Sequence, residues 1–351
     1  PLSMTRITQA AATAIVITFA FAILTLGKDL LIPMVLAVFI WYLINILADS
    51  ILTLRIRGFS VPRIVAFLLA LTIILGGLVL FTNLISTSIN NVIRSAPGYQ
   101  ENIDDLLDRG AQWVGLNESP QLNQLVHQID FTKAIQNLGF TLAGFIGSAG
   151  LILVYTLFIF LEQKCFLPKI DSMAGEPQQA EKVRRILRRI YADTKTYIGI
   201  KTFTSFLTGF ISYWIMWAID LDFAIFWALL IFLFNYIPTI GSIVATFFPS
   251  ILALVQFPQS LTPFLVVVIG VTGVQMVVGN IVEPRLMGNT LNLSPLVILL
   301  SLGLWGSMWG IPGAILCVPI TVLLTIIFSN FESTRGMAVL LSKAGDIRSD
   351  S

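Results

Sequence analysis

RIVAFLLALTIILGGLVLFTNLIS, residues 63–86, decides the fold class. One arginine opens the stretch and no charge follows it. About 20 mostly apolar residues in a helix cross the roughly 30 Å hydrocarbon layer of a bilayer. This run is long enough, and it has no polar face to offer to water. A helix is the economical form, because it satisfies its own backbone hydrogen bonds in lipid. The same reading applies to the runs at about 9–26, 31–54, 138–161 and 197–219. Of 351 residues, 56% are hydrophobic and only 11% charged. A soluble domain carries about 25% charged residues. The expectation is an all-α, polytopic membrane protein with about eight transmembrane segments, some broken or re-entrant.

Composition also narrows the chemistry. A net charge of +2 gives no footing for nucleic acid. Cys165 and Cys317 lie in different segments with no metal-ligand spacing, and His127 is the only histidine. No HExxH, GxSxG or G-x-x-x-x-G-K-[ST] pattern is present. The chain is therefore expected to be no enzyme, to need no cofactor or metal, and to have no ATP drive of its own. Pro1-Leu2-Ser3 ahead of Met4 reads as added sequence, with Met4 the native start. No A-x-A-like cleavage site follows the first apolar run, so it reads as a retained helix and not a signal peptide.

The organisation follows from where charge returns. Residues 1–86 read as the first three transmembrane helices. Residues 87–137 are polar, with Arg94, Glu101, Asp104, Asp105, Asp108, Arg109 and Glu118, and read as a small helical external domain. Residues 138–161 are a fourth helix, and 162–196 a basic cytoplasmic segment. Residues 197–330 are a transmembrane region of interrupted helices, and 331–351 a cytoplasmic tail. Orientation comes from lysine and arginine counts. Nine fall in 162–201: Lys164, Lys169, Lys182, Arg184, Arg185, Arg188, Arg189, Lys195 and Lys201. Only Arg94, Arg109 and Lys133 fall in 87–137. Both termini are then cytoplasmic. Asp29, Asp220 and Asp222 are expected at the external interface, solvated. Trp214, Trp217, Trp305 and Trp309 are expected in an interfacial belt. Gly76, Gly77, Gly139, Gly144, Gly147 and Gly150 are expected to let helices approach closely.

Two stretches near the end interrupt their helices. NYIPTIG, 235–241, divides the nearly uncharged 222–256, and GSMWGIPG, 306–313, divides 294–330. Proline removes a helix hydrogen bond and glycine loosens the backbone. Each stretch reads either as a broken helix or as a re-entrant hairpin. Paired interrupted segments point to a transporter's binding site.

The stretch 279–320, GNIVEPRLMGNTLNLSPLVILLSLGLWGSMWGIPGAILCVPI, together with NYIPTIG, resembles the autoinducer-2 exporter family. The matching positions are Asn235, Ile237, Pro238 and Gly241; Asn280, Pro284 and Gly288; Leu291 and Pro295; and Gly306, Gly310, Gly313 and Pro319. The layout of the whole chain is similar too. One departure is Glu283, which sits directly beside Pro284 and not one turn earlier. The resemblance implies transport in the bacterial cytoplasmic (inner) membrane. Some members export autoinducer-2, and others resemble sodium(lithium)/proton antiporters. It also implies a homo-oligomer, with a pentamer as one form.

The residues expected along a substrate or ion pathway are Asn235, Pro238, Gly241, Asn280, Glu283, Pro284, Arg285, Gly288, Asn289, Pro295, Gly310, Pro312 and Gly313. Glu283 and Arg285 read either as an ion or proton site or as a pair in water at the membrane edge. Asn235, Asn280 and Asn289 read either as ligands for a polar solute or as caps at a break. The arginines at 184, 185, 188 and 189 share a helix face and read as attracted to anionic lipid. The expected partners are the bilayer, a small polar solute and a coupling ion, Na+ or H+. The expected function is secondary transport by alternating access, with a sodium(lithium)/proton antiporter and a channel as alternatives.

Overall fold

The computed structural model describes residues 4–53, 61–114, 147–174, 177–288, 292–343 and 345. Among these, every element is helical. In chain order they are α1 (Met4–Leu26), α2 (Lys28–Thr53), α3 (Arg63–Val114), α4 (Ala149–Ala174) and α5 (Pro177–Trp217). Next come α6 (Ala224–Phe234), α7 (Ile240–Gln256), α8 (Thr262–Val277), α9 (Glu283–Met287), α10 (Pro295–Trp309), α11 (Ile311–Ser329) and α12 (Arg335–Leu341). A π turn, Val278–Val282, joins α8 to α9 into one rod. Lys28–Thr53, Arg63–Val92, Ala149–Phe166, Thr262–Met287 and Ile311–Ser329 are long and apolar enough to cross a membrane. The protein is all-α and polytopic, and these apolar helices carry exposed large side chains such as Leu30, Ile64 and Leu161.

The helices extend further than charge suggested. α3 runs unbroken to Val114, so residues 87–114 continue the membrane helix. The boundaries expected at 161/162 and 196/197 both fall inside helices, α4 and α5. Residues 115–146, including His127, Gly139 and Gly144, lie outside the described residues. Among the described residues, a Cβ at Gly76, Gly77, Gly147 or Gly150 would meet nothing within 4 Å, so no close helix approach rests on these glycines there.

The chain forms two compact units. One comprises residues 1–43, 149–195 and 291–351; the other comprises 44–148 and 196–290. In the first, α10 and α11 fold back on each other. Ser301 lies against both Cys317 and Thr321 across the turn, and its Oγ donates to the Cys317 carbonyl at 3.1 Å. In the second, α6 and α7 form a like hairpin. Trp227 and Phe248 stack at 6.3 Å on either side of the turn. At the open end, Gln256 accepts from the Asp222 N–H at 2.8 Å and donates to the Asp220 carbonyl at 2.9 Å. The 11 residues of α6 span about 16 Å, too short to cross a bilayer alone. The contacts between their arms make both interrupted segments helical hairpins and not broken rods.

Candidate functional site

The site is built on α5. Lys201, Thr204, Ser205, Thr208 and Ser212 are all buried. Their spacing places them on one face, rising about 16 Å along the helix. A hydroxyl on such a face can return its proton to the preceding turn. Thr208 does so to the Thr204 carbonyl at 2.8 Å, and Thr204, 3.1 Å from the Lys201 carbonyl, shares its single proton between that oxygen and Glu283. Ser212 Oγ is fully buried with no partner among the described residues.

At the lower end of this face stands an ion pair. Lys201 Nζ donates to both oxygens of Glu283, at 2.8 and 2.9 Å. Thr204 Oγ1 adds a third donor to Oε2 at 3.2 Å. The side chains are only 10% and 17% exposed. Breaking such a pair by removing one partner costs about 3–5 kcal/mol, because the other charge is left buried. Glu283 is therefore not one half of a watery pair with Arg285, which is exposed. Its partner is a lysine counted above among the cytoplasmic charges. A sequence signal for Lys201 existed: the hydroxyls at i+3, i+4, i+7 and i+11 mark a polar helical stripe.

The NYIPTIG turn docks one residue further round the same two turns of α5. Asn235 Nδ2 donates to Ser205 Oγ at 3.0 Å, and Tyr236 OH to Thr202 Oγ1 at 2.7 Å. The turn satisfies much of its own backbone. The Ile237 N–H donates to Phe234 O at 2.8 Å and the Gly241 N–H to Ile237 O at 3.2 Å. At its apex the Ile240 N–H reaches Pro238 O at 2.6 Å around Thr239, whose φ of 62° and ψ of −60° describe a γ-turn. That conformation is rare and strained for a residue with a side chain. Gly241 is buried and is glycine because a Cβ there would lie 1.8 Å from Phe234 O.

The second break approaches from α8. Pro284 brings no N–H to the carbonyls of Gly279 and Asn280, and a proline ring crowds the carbonyl four residues back. The helix widens to accommodate it: the Glu283 N–H donates to Val278 O, five residues earlier. π turns of this kind recur at functional sites. Gly288, at φ 53° and ψ −127°, ends the rod in a conformation open only to glycine. Asn280 is exposed on the widened turn, and Asn289 lies outside the described residues. Of the expected residues, Asn235 and Glu283 thus meet residues 201–205 of α5, while Asn280 and Arg285 are exposed.

Pro295, Gly310, Pro312 and Gly313 belong to the other unit. The break there is narrower than GSMWGIPG suggested: α10 continues to Trp309 and α11 restarts at Ile311. Gly310 alone makes the turn, at φ 64° and ψ −139°. Pro312 and Gly313 are buried, and a Cβ on Gly313 would lie 1.9 Å from Trp305 O. Pro295 is the exposed first residue of α10.

Other expectations change with the structure. Trp305 and Trp309 are buried and packed at a tilt with ring centroids 5.1 Å apart, and Trp309 Nε1 donates to the Leu24 carbonyl at 2.9 Å; they form no belt. Trp214 and Trp217 are half exposed, as a belt requires. Three arginines of the run are paired: Arg184 holds Asp171, Arg188 holds Glu181 at 2.8 Å, and Arg189 lies 3.7 Å from Asp193. Asp29, Asp220 and Asp222 are exposed, but Asp222 also accepts from Tyr99 OH at 2.6 Å. A cleft of about 390 Å³ lies between α3, α5 and α6, lined by apolar groups such as Phe81, Phe206 and Phe232. It contains none of the expected pathway residues.

The sequence profile described as "AI-2E family transporter" matches residues 12–333. The chain is 33% identical over 322 residues to the AI-2 transport protein TqsA of Escherichia coli (strain K12), covering 90% of each. It is 28% identical over 322 residues to the putative transport protein YhhT of the same organism, covering 90% of this chain and 88% of that one. A putative transport protein of Haemophilus influenzae is 36% identical over 210 residues, 59% of each chain. The chain belongs to the AI-2E transporter family, a family of transporters and not of enzymes.

Proposed function

We propose that this member of the family is a secondary transporter that exports a small polar signalling solute, of the autoinducer-2 kind, by alternating access coupled to an ion gradient. One observation carries the reading. Both proline breaks of 196–290 dock on the same two turns of α5, beside a Lys–Glu pair withdrawn from water. Ionisable groups inside membrane proteins are costly and mark substrate and ion paths. Asn235, Tyr236, Thr202 and Ser205 supply the neutral donors and acceptors that a polyhydroxylated solute needs. Pro238, Gly241, Pro284 and Gly288 shape the backbone around it. Pro295, Gly310, Pro312 and Gly313 build a second hairpin of like design, which we assign to the same pathway together with Asn280, Arg285 and Asn289. The name of the Escherichia coli relative supports the solute class.

The proposed orientation keeps both termini and 170–190 cytoplasmic and 100–130 external. The Tyr99–Asp222 bond supports part of it, since it sets Tyr99, in the second half of α3, beside the corner after α5. The exposed glycines of α3 and α4 suit contacts between copies of the chain, and we propose a homo-oligomer, with a pentamer as one form.

The test is counterflow of labelled autoinducer-2 in proteoliposomes, with no imposed gradient. The parent should exchange it. Asn235→Ala should lower the rate by about tenfold, or 1.4 kcal/mol, with unchanged membrane abundance. Equal rates in parent and variant would remove Asn235 from the site. Sodium-driven proton movement without solute exchange would favour the antiporter, and gradient-independent conductance a channel.

A further inference from the structure

We infer that Glu283 is the proton-binding group of the transport cycle and Lys201 its internal counter-cation, which lets go of Glu283 when the proton arrives. The inference rests on the reading of the site given above.

Stability does not account for the pair. Desolvation of two charges offsets most of their attraction, and replacing such a pair with apolar groups is often neutral or stabilising. A buried pair is useful where it must change partners. The surroundings of Glu283 say which partner. Its carboxylate is ringed by donors: the ammonium of Lys201 on both oxygens and the Thr204 hydroxyl on one. A hard metal ion needs a shell of several oxygen ligands. A proton needs one lone pair.

The other charged or titratable groups leave Glu283 to this role. α6, α7 and α8 contain no ionisable residue. On α5, Tyr197 is buried one turn before Lys201. In the NYIPTIG turn, Tyr236 is committed to Thr202. On α2, whose Ile46 meets Gly199, Asp49 is exposed. On the rod of Glu283 itself the only other charge is Arg285, also exposed.

The step balances without a co-reactant. In the state described here Glu283 is an anion and Lys201 a cation. A proton from one side of the membrane adds to a Glu283 oxygen and makes a neutral acid. The Lys201 ammonium loses its counter-charge and becomes free to turn to the acceptors of the NYIPTIG turn one residue away, Asn235 Oδ1 among them. Loss of the proton to the other side restores the pair. The π turn before Pro284 gives the rod the slack to move Glu283, because its widened register is already outside the regular helix ladder.

The experiment reads the motion of the turn itself, so that it needs no solute. Cys165 and Cys317 are replaced by serine and alanine, and a single cysteine is placed at the exposed apex by Thr239→Cys. Its rate of labelling, corrected for the reagent's own pH dependence with a cysteine placed at exposed Gln178, is followed from about pH 3 to 9, a range that includes ordinary carboxylate values. The parent rate should change by about tenfold or more across a single titration. Glu283→Gln should be flat. Lys201→Met should change the response, because the carboxylate loses its counter-cation, and Lys201→Arg should restore it. The double variant Lys201→Met with Glu283→Gln, with no buried charge, should fold and be flat. A flat parent, or a pH response that survives Glu283→Gln, overturns the inference. So does a labelling change driven by sodium at constant pH. Transport of autoinducer-2 driven by a pH gradient should be lost in Glu283→Gln, and undiminished driven transport overturns the inference. If Asn235→Ala exchanges the solute like the parent while the labelling response still needs Glu283, the solute assignment fails and the proton role stands.

Discussion

Gly241→Ala should destabilise the second unit by closing the space in which the α6–α7 hairpin turns. The added Cβ would lie 1.8 Å from the carbonyl oxygen of Phe234 and 2.8 Å from its carbon. Ordinary contact starts near 3.4 Å, so the two helix ends must part by about 1.5 Å. They cannot part cheaply. The Phe234 carbonyl already accepts the Ile237 N–H at 2.8 Å, and Ile237 Cβ stands 3.2 Å from the new atom. Overpacking of this kind costs about 1–3 kcal/mol, and a lost hydrogen bond about 1 kcal/mol more. A total near 3 kcal/mol is about 150-fold in the folded ratio. Detergent-purified protein should melt several degrees lower by size-exclusion after heating. Gly313→Ala should behave alike, with its Cβ 1.9 Å from Trp305 O and 2.9 Å from Trp309 Cβ. Gly273→Ala is the control: nothing lies within 4 Å, so in mid-helix alanine should be neutral or stabilising by up to about 1 kcal/mol. If Gly241→Ala melts with the parent, or no lower than Gly273→Ala, the close approach of the two arms is refuted.

Two further outcomes are expected. A cysteine at Gln112 should react with an impermeant maleimide from outside intact cells and one at Gln178 should not; labelling at 178 reverses the proposed orientation. Tyr99→Phe should speed hydrogen exchange around residue 99 of α3, losing a bond worth about 1 kcal/mol. Burial, the hydrogen bond to Asp222 and its charge hold the Tyr99 phenol above its ordinary range. The latch is therefore fully present below about pH 10 and lost only as pH rises through the raised value, so exchange in the parent should show no loss of the latch at pH 9 once corrected for intrinsic rate.

What was legible in the sequence followed from what each signal measures. Hydropathy sums over a whole helix, so α2 and α3 could be read from residues 31–54 and 63–86. Glycine and proline announce a break without giving its width. In GSMWGIPG the helix passes through Gly306 and Met308 and stops only at Gly310, because one glycine inside a packed helix costs about 1 kcal/mol and one at positive φ ends it. Polarity measures exposure only on average. Residues 87–114 are polar enough for a separate domain, yet they prolong α3, since a helix leaving the bilayer can simply become polar on all sides.

Charge counting shows best where local reading stops. It treats each lysine or arginine as a charge facing water. Lys201 faces Glu283, 82 residues further on, and no spacing rule reaches that far. Arg184, Arg188 and Arg189 each hold a carboxylate on α4 or α5. These pairs bear differently on the two conclusions drawn from the same charges. Attraction to anionic lipid depends on net charge at the surface, so neutralised arginines have less to offer it. Orientation is set as segments enter the membrane, by lysine and arginine counts to which carboxylates contribute little. That argument does not need the arginines to stay unpaired in the folded protein. Omitting Lys201 as a buried residue leaves eight positive residues of the original nine against three on the other segment. The inference for orientation therefore survives the pairing that weakens the inference for lipid binding, and the lysine withdrawn from the count becomes the one residue of the segment with a part in the proposed chemistry.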